Sequence, residues 1–400
     1  MSGKQLTFID PFTNNTIQKI YFGTPGCGKS HIVADLTRPY KEHTFRITFH
    51  PDSDYASFVG SYKPITNKNE FLHNRPMTLD DLAAILKDMY ENRGNTSANA
   101  SVMQFGIEYS NYFNGTIASY SKKDVVNKAI PEATTYDVEL QKAINLVPWI
   151  QEKFKTAYIS YQFVPQAFTN AYVTAWQNPD EPVYLVIEEI NRGNCAQIFG
   201  DLFQLLDRDE QGESEYPISA DADLRNYLES EKALGKEHNG IKDGKIKLPK
   251  NLHILATMNT SDQSLFPMDS AFKRRWEWEY VPVDPTNPES QFVITIGEKR
   301  YKWASFLVNV NERIHKLSDS EDKQMGNFFI KSDIGVEEFK SKVMFYLWSE
   351  VCKEYEKCGS FFKDKGDNDA EFTFNCLYPT GEATNKRLQG FMEYLGVEEA

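Results

Sequence analysis

Three short stretches rich in apolar residues predict buried strands, and the continuous run of the second predicts a strand that is covered on both faces. They are TIQKIYF at residues 16–22, VYLVI at residues 183–187 and LHILA at residues 252–256. Such runs are typical of parallel sheets covered by helices on both sides. The first run leads into SHIVADLTR at residues 30–38, which begins a predicted helix. The pattern predicts an α/β fold with a parallel sheet flanked by helices.

Beyond residue 284 the pattern changes from buried strands to amphipathic helices. The segments WASFLVNVNERIHKLS and VEEFKSKVMFYLWSEVCKEYEK repeat apolar residues at helical spacing, which predicts helices with one buried face. We expect residues 284–400 to form a helical lid domain beside an α/β domain at residues 1–283. Lys386 and Arg387 are candidates for a lid cation that reaches a ligand, and they are equally well explained as surface cations.

Two segments of the first domain are not required by a parallel sheet. Residues 66–157 contain many aromatic residues, so they predict a folded, partly helical insertion and not a linker. The apolar residues of this insertion are best explained as its own core. Residues 207–247 are polar and charged, and they predict a projecting hairpin or loop before the third buried strand.

Composition narrows the class of protein. The five cysteines are odd in number, scattered and without metal-ligand spacing, which indicates a reducing, cytoplasmic setting. No apolar run approaches the length of a signal-peptide core or a membrane span. The formal net charge of −13 argues against a surface that coats nucleic acid. We therefore expect any DNA recognition to belong to a partner.

The stretch YFGTPGCGKS fits the phosphate-binding pattern G-x-x-x-x-G-K-[ST] at every fixed position, and it lies between a predicted strand and a predicted helix, as the motif requires. Glycines let backbone N–H groups converge on phosphates, the lysine reaches the outer phosphates, and the serine hydroxyl is available to Mg²⁺. The alternative is a glycine-rich turn without a ligand. The predicted nucleotide-binding residues are Gly23, Thr24, Pro25, Gly26, Cys27, Gly28, Lys29 and Ser30.

Two carboxylates, Glu188 and Glu189, follow the second buried strand in the stretch EPVYLVIEEINRGN. Glu188 stands where phosphate-loop enzymes hold the magnesium shell, and Glu189 stands where a base polarises the attacking water. Alone, such a pair is typical of a solvated strand end. Together with a phosphate loop, it predicts hydrolysis of a nucleoside triphosphate.

The third buried strand passes into a polar turn with Asn259 and Asp262. Open α/β sheets bind ligands at this end of their strands. We therefore expect Asn259 to bond the γ-phosphate or the lytic water, and Asp262 to belong to the nucleotide site. Three cations follow at Lys273, Arg274 and Arg275. They are either a favourable charge cluster at a helix C-terminus or arginine fingers offered to the nucleotide of a neighbouring subunit.

The order of these motifs resembles the AAA+ module of the McrB-type GTPases, the motor subunits of modified-cytosine restriction systems. The phosphate loop is followed by EEINRGN, MNTSDQS and MDSAFKRRW, and residues 45–64, FRITFHPDSDYASFVGSYKP, are also similar. The resemblance covers residues 19–65 and 160–283. Its most specific part is EINRGN followed by IFGDL.

The resemblance implies roles for individual residues. Asn191 and Arg192 would lie beside the γ-phosphate, and Asn259 would be the sensor asparagine. The arginine pair would act at the subunit boundary of a ring, for which a hexamer is expected. The predicted catalytic residues are thus Glu189, Asn191, Arg192, Asn259, Arg274 and Arg275, and the predicted ligands of Mg²⁺ are Ser30 and Glu188.

Two positions depart from the pattern of the family. The family usually has aspartate at the position of Glu188 and arginine at the position of Gln263. Glutamate adds one methylene, which shifts how the waters around magnesium are held. Glutamine removes a charge, so no interaction of that arginine is carried over.

The resemblance implies an AAA+ nucleoside triphosphatase that forms a ring motor and drives a McrC-like nuclease. GTP is favoured over ATP because the family uses GTP without the N-K-x-D signature, which is also missing here. With the phosphate loop starting at residue 23, we expect DNA to be reached through a partner or the ring pore. A MoxR-like ATPase that remodels a protein substrate is the alternative, and a nucleotide-gated scaffold without turnover is a third hypothesis.

Overall fold

The computed structural model describes residues 16–67, 79–80, 83–84, 87, 127–128, 131, 158–262, 266–353, 358–378 and 381–400, with the backbone alone at 66–67, 158–160, 262 and 358–359. The chain forms two compact units, one from Met1–Ser61 with Pro165–Ala400 and the other from Tyr62–Val164. The predicted lid therefore belongs to the same unit as the phosphate loop. The predicted insertion at 66–157 lies almost entirely outside the described residues.

A five-stranded, fully parallel sheet forms the core of the first unit, as the apolar runs predict. The described strands are β1 (Gln18–Gly23), β2 (Thr44–Thr48), β3 (Gly60–Asn67), β4 (Tyr158–Pro165), β5 (Val183–Glu188), β6 (Ile218–Ser219), β7 (Lys245–Ile246), β8 (Leu252–Asn259), β9 (Glu277–Tyr280), β10 (Val293–Ile296), β11 (Lys299–Lys302), β12 (Lys363–Asp364) and β13 (Ala370–Glu371). The sheet has the order β2-β5-β8-β1-β9. Residues 183–187 of β5 are all buried, which explains the continuous apolar sequence of this strand.

The register of the sheet brings the ends of four strands together. Gly23 at the end of β1 lies opposite Asn259 at the end of β8. Thr48 at the end of β2 lies opposite Glu188 at the end of β5, and β5 also pairs with β8. Because all these pairings are parallel, the polar residues that follow the strands meet at one edge of the sheet, where open α/β sheets bind ligands.

Helices flank the sheet. Those described are α1 (Lys29–Thr37), α2 (Tyr55–Phe58), α3 (Ala167–Gln177), α4 (Cys195–Phe199), α5 (Ala222–Leu228), α6 (Ser270–Lys273), α7 (Trp303–Ser318), α8 (Val336–Glu338) and α9 (Glu382–Leu395). Tyr184 and Val186 of β5 pack with Val33 of α1, while α3 contacts β2 and β5. Short 3₁₀ turns connect several of these elements.

The segment at 207–247 contains a much shorter hairpin than its length suggests. β6 pairs with β7 in antiparallel fashion, with Ile218 opposite Ile246. Between these strands lies α5, which buries Leu224 and Leu228. The predicted projection is thus a two-residue pairing with a helix inserted between its strands.

The lid contains the predicted helices. α7 coincides with the first predicted segment and buries Phe306, Val310 and Ile314 at helical spacing. The second segment is helical from α8 onward, with wide π-type turns at Phe339–Met344 and Leu347–Cys352. Both pack into one apolar core with α9.

The lid also contains a β-hairpin that the hydrophobic pattern did not predict. β10 pairs with β11 in antiparallel fashion, and two residues connect them. The first of these is Gly297, whose φ of +62° suits the first central position of a type II′ turn. Ile294 and Ile296 are buried in the lid core, so the lid is a mixed structure and not a helical one alone.

The described residues include both free and disulfide-bonded cysteines. Cys27, Cys195 and Cys376 are free thiols. Cys352 is disulfide-bonded, which the scattered cysteine spacing did not predict. None of the described helices is long and apolar enough to cross a membrane.

Candidate nucleotide-binding site

The phosphate loop connects β1 to α1 through backbone conformations that glycine adopts most readily. The φ angle is +156° at Gly23, +79° at Gly26 and +100° at Gly28. A Cβ atom at Gly23 would lie only 2.7 Å from the carbonyl oxygen of Val281. The loop therefore presents backbone and not side chains, as close approach to a phosphate requires.

Lys29 is folded over the loop and is 6% exposed. Its ammonium group donates hydrogen bonds to the carbonyl oxygens of Gly23 at 3.1 Å and Thr24 at 2.9 Å. The hydroxyl of Thr24 is buried and has no hydrogen-bond partner among the described residues. The ammonium group also contacts the Cys27 sulfur, with 3.6 Å between Nζ and Sγ. A buried cation held by two carbonyls and a thiol, beside an unsatisfied hydroxyl, fits an anionic ligand such as a phosphate. Burial raises the pKa of the neighbouring Cys27 thiol, although Lys29 acts in the opposite direction.

Glu188 is held from three directions. The Ser30 hydroxyl donates to Glu188 Oε2 at 2.9 Å, and the Thr257 hydroxyl donates to the same oxygen. The guanidinium group of Arg46 forms an ion pair with Oε1. A hydroxyl and a carboxylate oxygen in direct contact are oxygen ligands of the kind that Mg²⁺ takes, so Ser30 and Glu188 fit a magnesium site.

Glu189 adopts a left-handed backbone conformation, with φ of +54° and ψ of +48°. For a residue other than glycine this costs on the order of 1–3 kcal/mol, and such residues cluster at functional sites. Its carboxylate accepts a hydrogen bond from the Asn259 amide, with 2.7 Å between Nδ2 and Oε1. Its backbone N–H donates to the Thr257 hydroxyl at 3.2 Å. The two predicted catalytic residues Glu189 and Asn259 are thus in direct contact.

The other residues predicted beside the γ-phosphate occupy different environments. Asn191 is 4% exposed, and its amide donates to the carbonyl oxygen of Asn259 at 3.0 Å. Arg192 is exposed at the end of a 3₁₀ turn. The side chain of Asp262 and the whole of Gln263 lie outside the described residues, so the expectations for these two positions stay predictions.

The two arginines of the predicted pair, Arg274 and Arg275, lie in different environments. Arg275 is only 8% exposed at its side chain and forms an ion pair with Asp207 at 2.5 Å. Its guanidinium group also lies 4.0 Å from the ring centre of Phe203. Arg274 follows α6 and is exposed. Arg275 is thus engaged within its own chain, while the side chain of Arg274 makes no hydrogen bond or ion pair with any residue that the structure describes.

The two lid cations also have partners nearby. Lys386 forms an exposed ion pair with Glu382 at 2.9 Å. Arg387 donates to the carbonyl oxygen of Cys376 at 3.3 Å. These contacts fit the surface role that the sequence left open for both residues.

Sequence reasoning missed Arg46 and Thr257, which fix the position of Glu188. Arg46 lies on β2 and Thr257 on β8, the two neighbours of β5 in the sheet. Nothing in the sequence signals their role, because it depends on which strands are adjacent and in which register. The lid segment against the phosphate loop, at residues 325–329, was missed for the same reason.

Comparison with known protein families gives two matches. The AAA domain of the dynein-related subfamily matches residues 118–276, a range that includes both carboxylates of the site and Asn259. An HTH-like domain matches residues 78–153, which overlaps the first match and lies mostly outside the described residues.

Two curated proteins are similar to this chain. The Type II restriction enzyme BsuMI component YdiS of Bacillus subtilis (strain 168) is 31% identical over 347 residues, which cover 84% of this chain and 79% of that protein. The Type IV methyl-directed restriction enzyme EcoKMcrB subunit of Escherichia coli (strain K12) is 25% identical over 158 residues, or 39% of this chain and 30% of that protein.

The geometry and the comparisons point the same way. A phosphate loop, a strand ending in two carboxylates and a strand ending in asparagine meet at one edge of a parallel sheet. Most of the chain aligns with a restriction enzyme component. The chain therefore belongs to the McrB-like family of AAA+ nucleoside triphosphatases found in restriction systems.

Proposed function

We propose that this chain hydrolyses GTP, in preference to ATP, as the ring-forming motor of a restriction system. The observation that carries the proposed hydrolysis is the 2.7 Å contact between Asn259 and Glu189, beside the Ser30–Glu188 contact at 2.9 Å. One pair is suited to a lytic water and the other to a metal. A site built only to hold nucleotide has no need of the first pair. The preference for GTP and the ring rest on the resemblance to the McrB-type GTPases.

In this mechanism water attacks the γ-phosphorus in line, a new P–O bond forms, and the bond to the β-phosphate oxygen breaks. Glu189 takes the proton of the attacking water, and Asn259 orients the Glu189 carboxylate. Lys29 balances the charge on the outer phosphates. Ser30 and Glu188 would hold Mg²⁺, which supplies electrostatic stabilisation of the charge on the phosphates.

Arg274 completes the site in the ring. An exposed arginine at the end of α6 can reach a neighbouring nucleotide, and an arginine finger contributes roughly 10³ to 10⁵ in rate. Arg275 supports α6 through its ion pair with Asp207. We expect a hexamer, in which each subunit offers Arg274 to the next.

The motor acts with a McrC-like nuclease in the cytoplasm and reaches DNA through that partner or the ring pore. Both similar proteins bear the name of restriction enzyme components, which supports a system of several subunits. The net charge of −13 fits a chain that leaves most DNA contacts to its partner.

A hydrolysis assay tests the proposal directly. Phosphate release is measured with GTP and with ATP, each with and without Mg²⁺ and with and without the co-encoded nuclease subunit. We expect Mg²⁺-dependent hydrolysis of GTP that the nuclease subunit accelerates. Preference for ATP would overturn the assignment of guanine as the nucleobase. Acceleration by a folded protein client instead of the nuclease would support a remodelling ATPase.

A further inference from the structure

The lid contacts the phosphate loop through its backbone. We call residues 325–329, MGNFF, the lid segment. The N–H group of Gly326 donates to the carbonyl oxygen of Pro25 at 2.9 Å, and that of Phe328 donates to the carbonyl oxygen of Gly26 at 2.7 Å. Two consecutive peptide groups of the phosphate loop are therefore bonded to a segment about 300 residues away in sequence.

The two backbones are too close for side chains between them. A Cβ atom at Gly326 would lie 2.1 Å from the amide nitrogen of Cys27 and the carbonyl carbon of Gly26. A Cβ atom at Gly26 would lie 2.8 Å from the amide nitrogen of Phe329. Glycine is required on both sides, because even a methyl group would push the lid segment away from the loop.

Buried amide side chains hold the lid segment in place. Asn327 is 2% exposed, and its Oδ1 accepts a hydrogen bond from the backbone N–H of Asp284 at 2.8 Å. Asn311 of α7 donates to the carbonyl oxygen of Met325 and accepts from its N–H group, both at 2.8 Å. The Trp303 indole donates to the carbonyl oxygen of Asn327 at 2.8 Å. Other residues of the lid thus hold the lid segment in position, independently of its contact with the phosphate loop.

These bonds determine the direction of the loop N–H groups. In a trans peptide the carbonyl and the following N–H point to opposite sides. With the Pro25 and Gly26 carbonyls bonded to the lid segment, the N–H groups of Gly26 and Cys27 point away from it. The Cys27 N–H donates to the carbonyl oxygen of Thr24 at 3.3 Å, so of these two groups it is the Gly26 N–H that is left to face a phosphate. Backbone N–H groups of this loop are the donors that a phosphate requires.

We propose that the lid segment is a positioning element of the phosphate site, with Gly326 as its critical residue. It holds the peptide groups of the loop in the orientation that binds phosphate. The affinity for nucleotide therefore depends on the contact between the lid segment and the phosphate loop. The inference rests on the proposed nucleotide binding at this loop. It adds that the lid acts on the phosphates through two backbone hydrogen bonds and without a charged side chain.

The first test compares Gly326→Ala with Gly335→Ala. Gly335 lies in the same lid, and a Cβ atom there would meet nothing within 4 Å. Affinity for a fluorescent methylanthraniloyl derivative of GDP is measured in Mg²⁺ and in EDTA, so that the readout is binding and not turnover. We expect Gly326→Ala to bind at least roughly tenfold more weakly in both buffers, and Gly335→Ala to bind within about twofold of the wild type. Equal affinity in folded Gly326→Ala protein would overturn the inference.

The second test uses the wild-type chain, so it does not depend on whether a variant folds. Hydrogen exchange is followed at the N–H groups of Gly326 and Phe328 with and without GDP. Both groups should exchange more slowly with GDP. The Ile334 N–H, which donates to the carbonyl oxygen of Val293 within the lid at 3.0 Å, should exchange at the same rate with and without GDP. Unchanged exchange at both groups, in protein that binds GDP, would contradict the inference. Wild-type protein that binds no nucleotide would instead refute the proposed function on which it rests.

Discussion

Glu188 is longer by one methylene than the aspartate usual at its position, and the structure shows how the extra length is accommodated. Its two oxygens are divided between Arg46 on one side and Ser30 with Thr257 on the other. The positive charge of the Arg46 guanidinium group neutralises the negative charge of Glu188, which a bound metal ion would also neutralise. With Glu188 in its proposed role as a ligand of Mg²⁺, Arg46 would compete with the metal for the charge of Glu188.

This competition predicts the effect of Arg46→Gln. Removing the guanidinium charge should lower the Mg²⁺ concentration needed for half-maximal nucleotide binding by roughly threefold to tenfold, because a cation close to the metal is lost. A Mg²⁺ titration of fluorescent nucleotide binding measures this. Arg38→Gln is the control, since the Arg38 side chain is 73% exposed and, among the described residues, forms its ion pair with Asp35. A higher Mg²⁺ requirement in Arg46→Gln would mean that Arg46 supports the metal instead.

The second prediction at this scale concerns Glu189→Gln. Glutamine preserves the size and the acceptor for Asn259 but cannot take a proton. We expect nucleotide binding to survive and turnover to fall by about a hundredfold or more, the scale of general-base contributions. Glu188→Gln, the neighbouring change of equal size, should instead weaken the dependence on Mg²⁺. Hydrolysis at the wild-type rate in Glu189→Gln would show that the roles assigned to Glu188 and Glu189 are wrong.

At the scale of elements, the short helix α6 is followed by an exposed arginine, Arg274, and a structural one, Arg275. Arg275→Ala should reduce the free energy of unfolding by about 1–3 kcal/mol, because Asp207 loses a partner that is 8% exposed. Arg274→Ala should change it by no more than about 0.5 kcal/mol, as expected of an exposed residue. Urea unfolding of the two variants separates these effects. Equal losses of unfolding free energy in the two variants would contradict the assignment of a structural role to Arg275 alone.

A mixing experiment tests whether Arg274 acts on a neighbour. Subunits with Arg274→Ala keep the phosphate loop, and subunits with Lys29→Ala keep the arginine. Each should hydrolyse little alone, and the mixture should regain activity if subunits exchange between rings. Near-normal turnover of Arg274→Ala alone would exclude a role as an arginine finger, whose loss costs roughly 10³ or more in rate.

Sequence was most informative about elements whose pattern is uninterrupted. β5 and β8 are continuous apolar runs, and α7 repeats buried residues over four turns, so each was predicted. The hairpin of β10 and β11 was missed because strands of four residues are too short to show a period. Gly297 at its turn was a visible signal. At the site, the motif residues were predictable, while Arg46 and the lid segment require the tertiary structure.

At the scale of the whole molecule, one buried histidine connects the start of the sheet to its centre. His253 on β8 accepts a hydrogen bond from the N–H of Ile17 through Nδ1 at 3.0 Å. Burial, with a smaller contribution from the nearby Arg208 charge, lowers its pKa from 6.5 to about 4. The neutral form is therefore the one that the fold requires.

This pKa sets a direction for the pH dependence of stability. The unfolded chain binds a proton at His253 near pH 6.5, while the folded chain resists it down to about pH 4. Stability from this residue is thus present above pH 6.5 and is lost as the pH falls. Between pH 7 and 5 the wild type should lose about 2 kcal/mol more than His253→Asn. Urea unfolding at both pH values measures this difference, and His315→Asn, at an exposed position, should behave as the wild type.

The strand order also has a consequence for synthesis. β1 is made first, yet it pairs with β8 and β9, more than 200 residues later. At about 5–20 residues per second, β1 waits roughly 10–50 s on the ribosome for β8 to be made. Through that interval the phosphate loop has no sheet to anchor it. Nucleotide bound at this loop therefore cannot assist the folding of the sheet until β8 has been made.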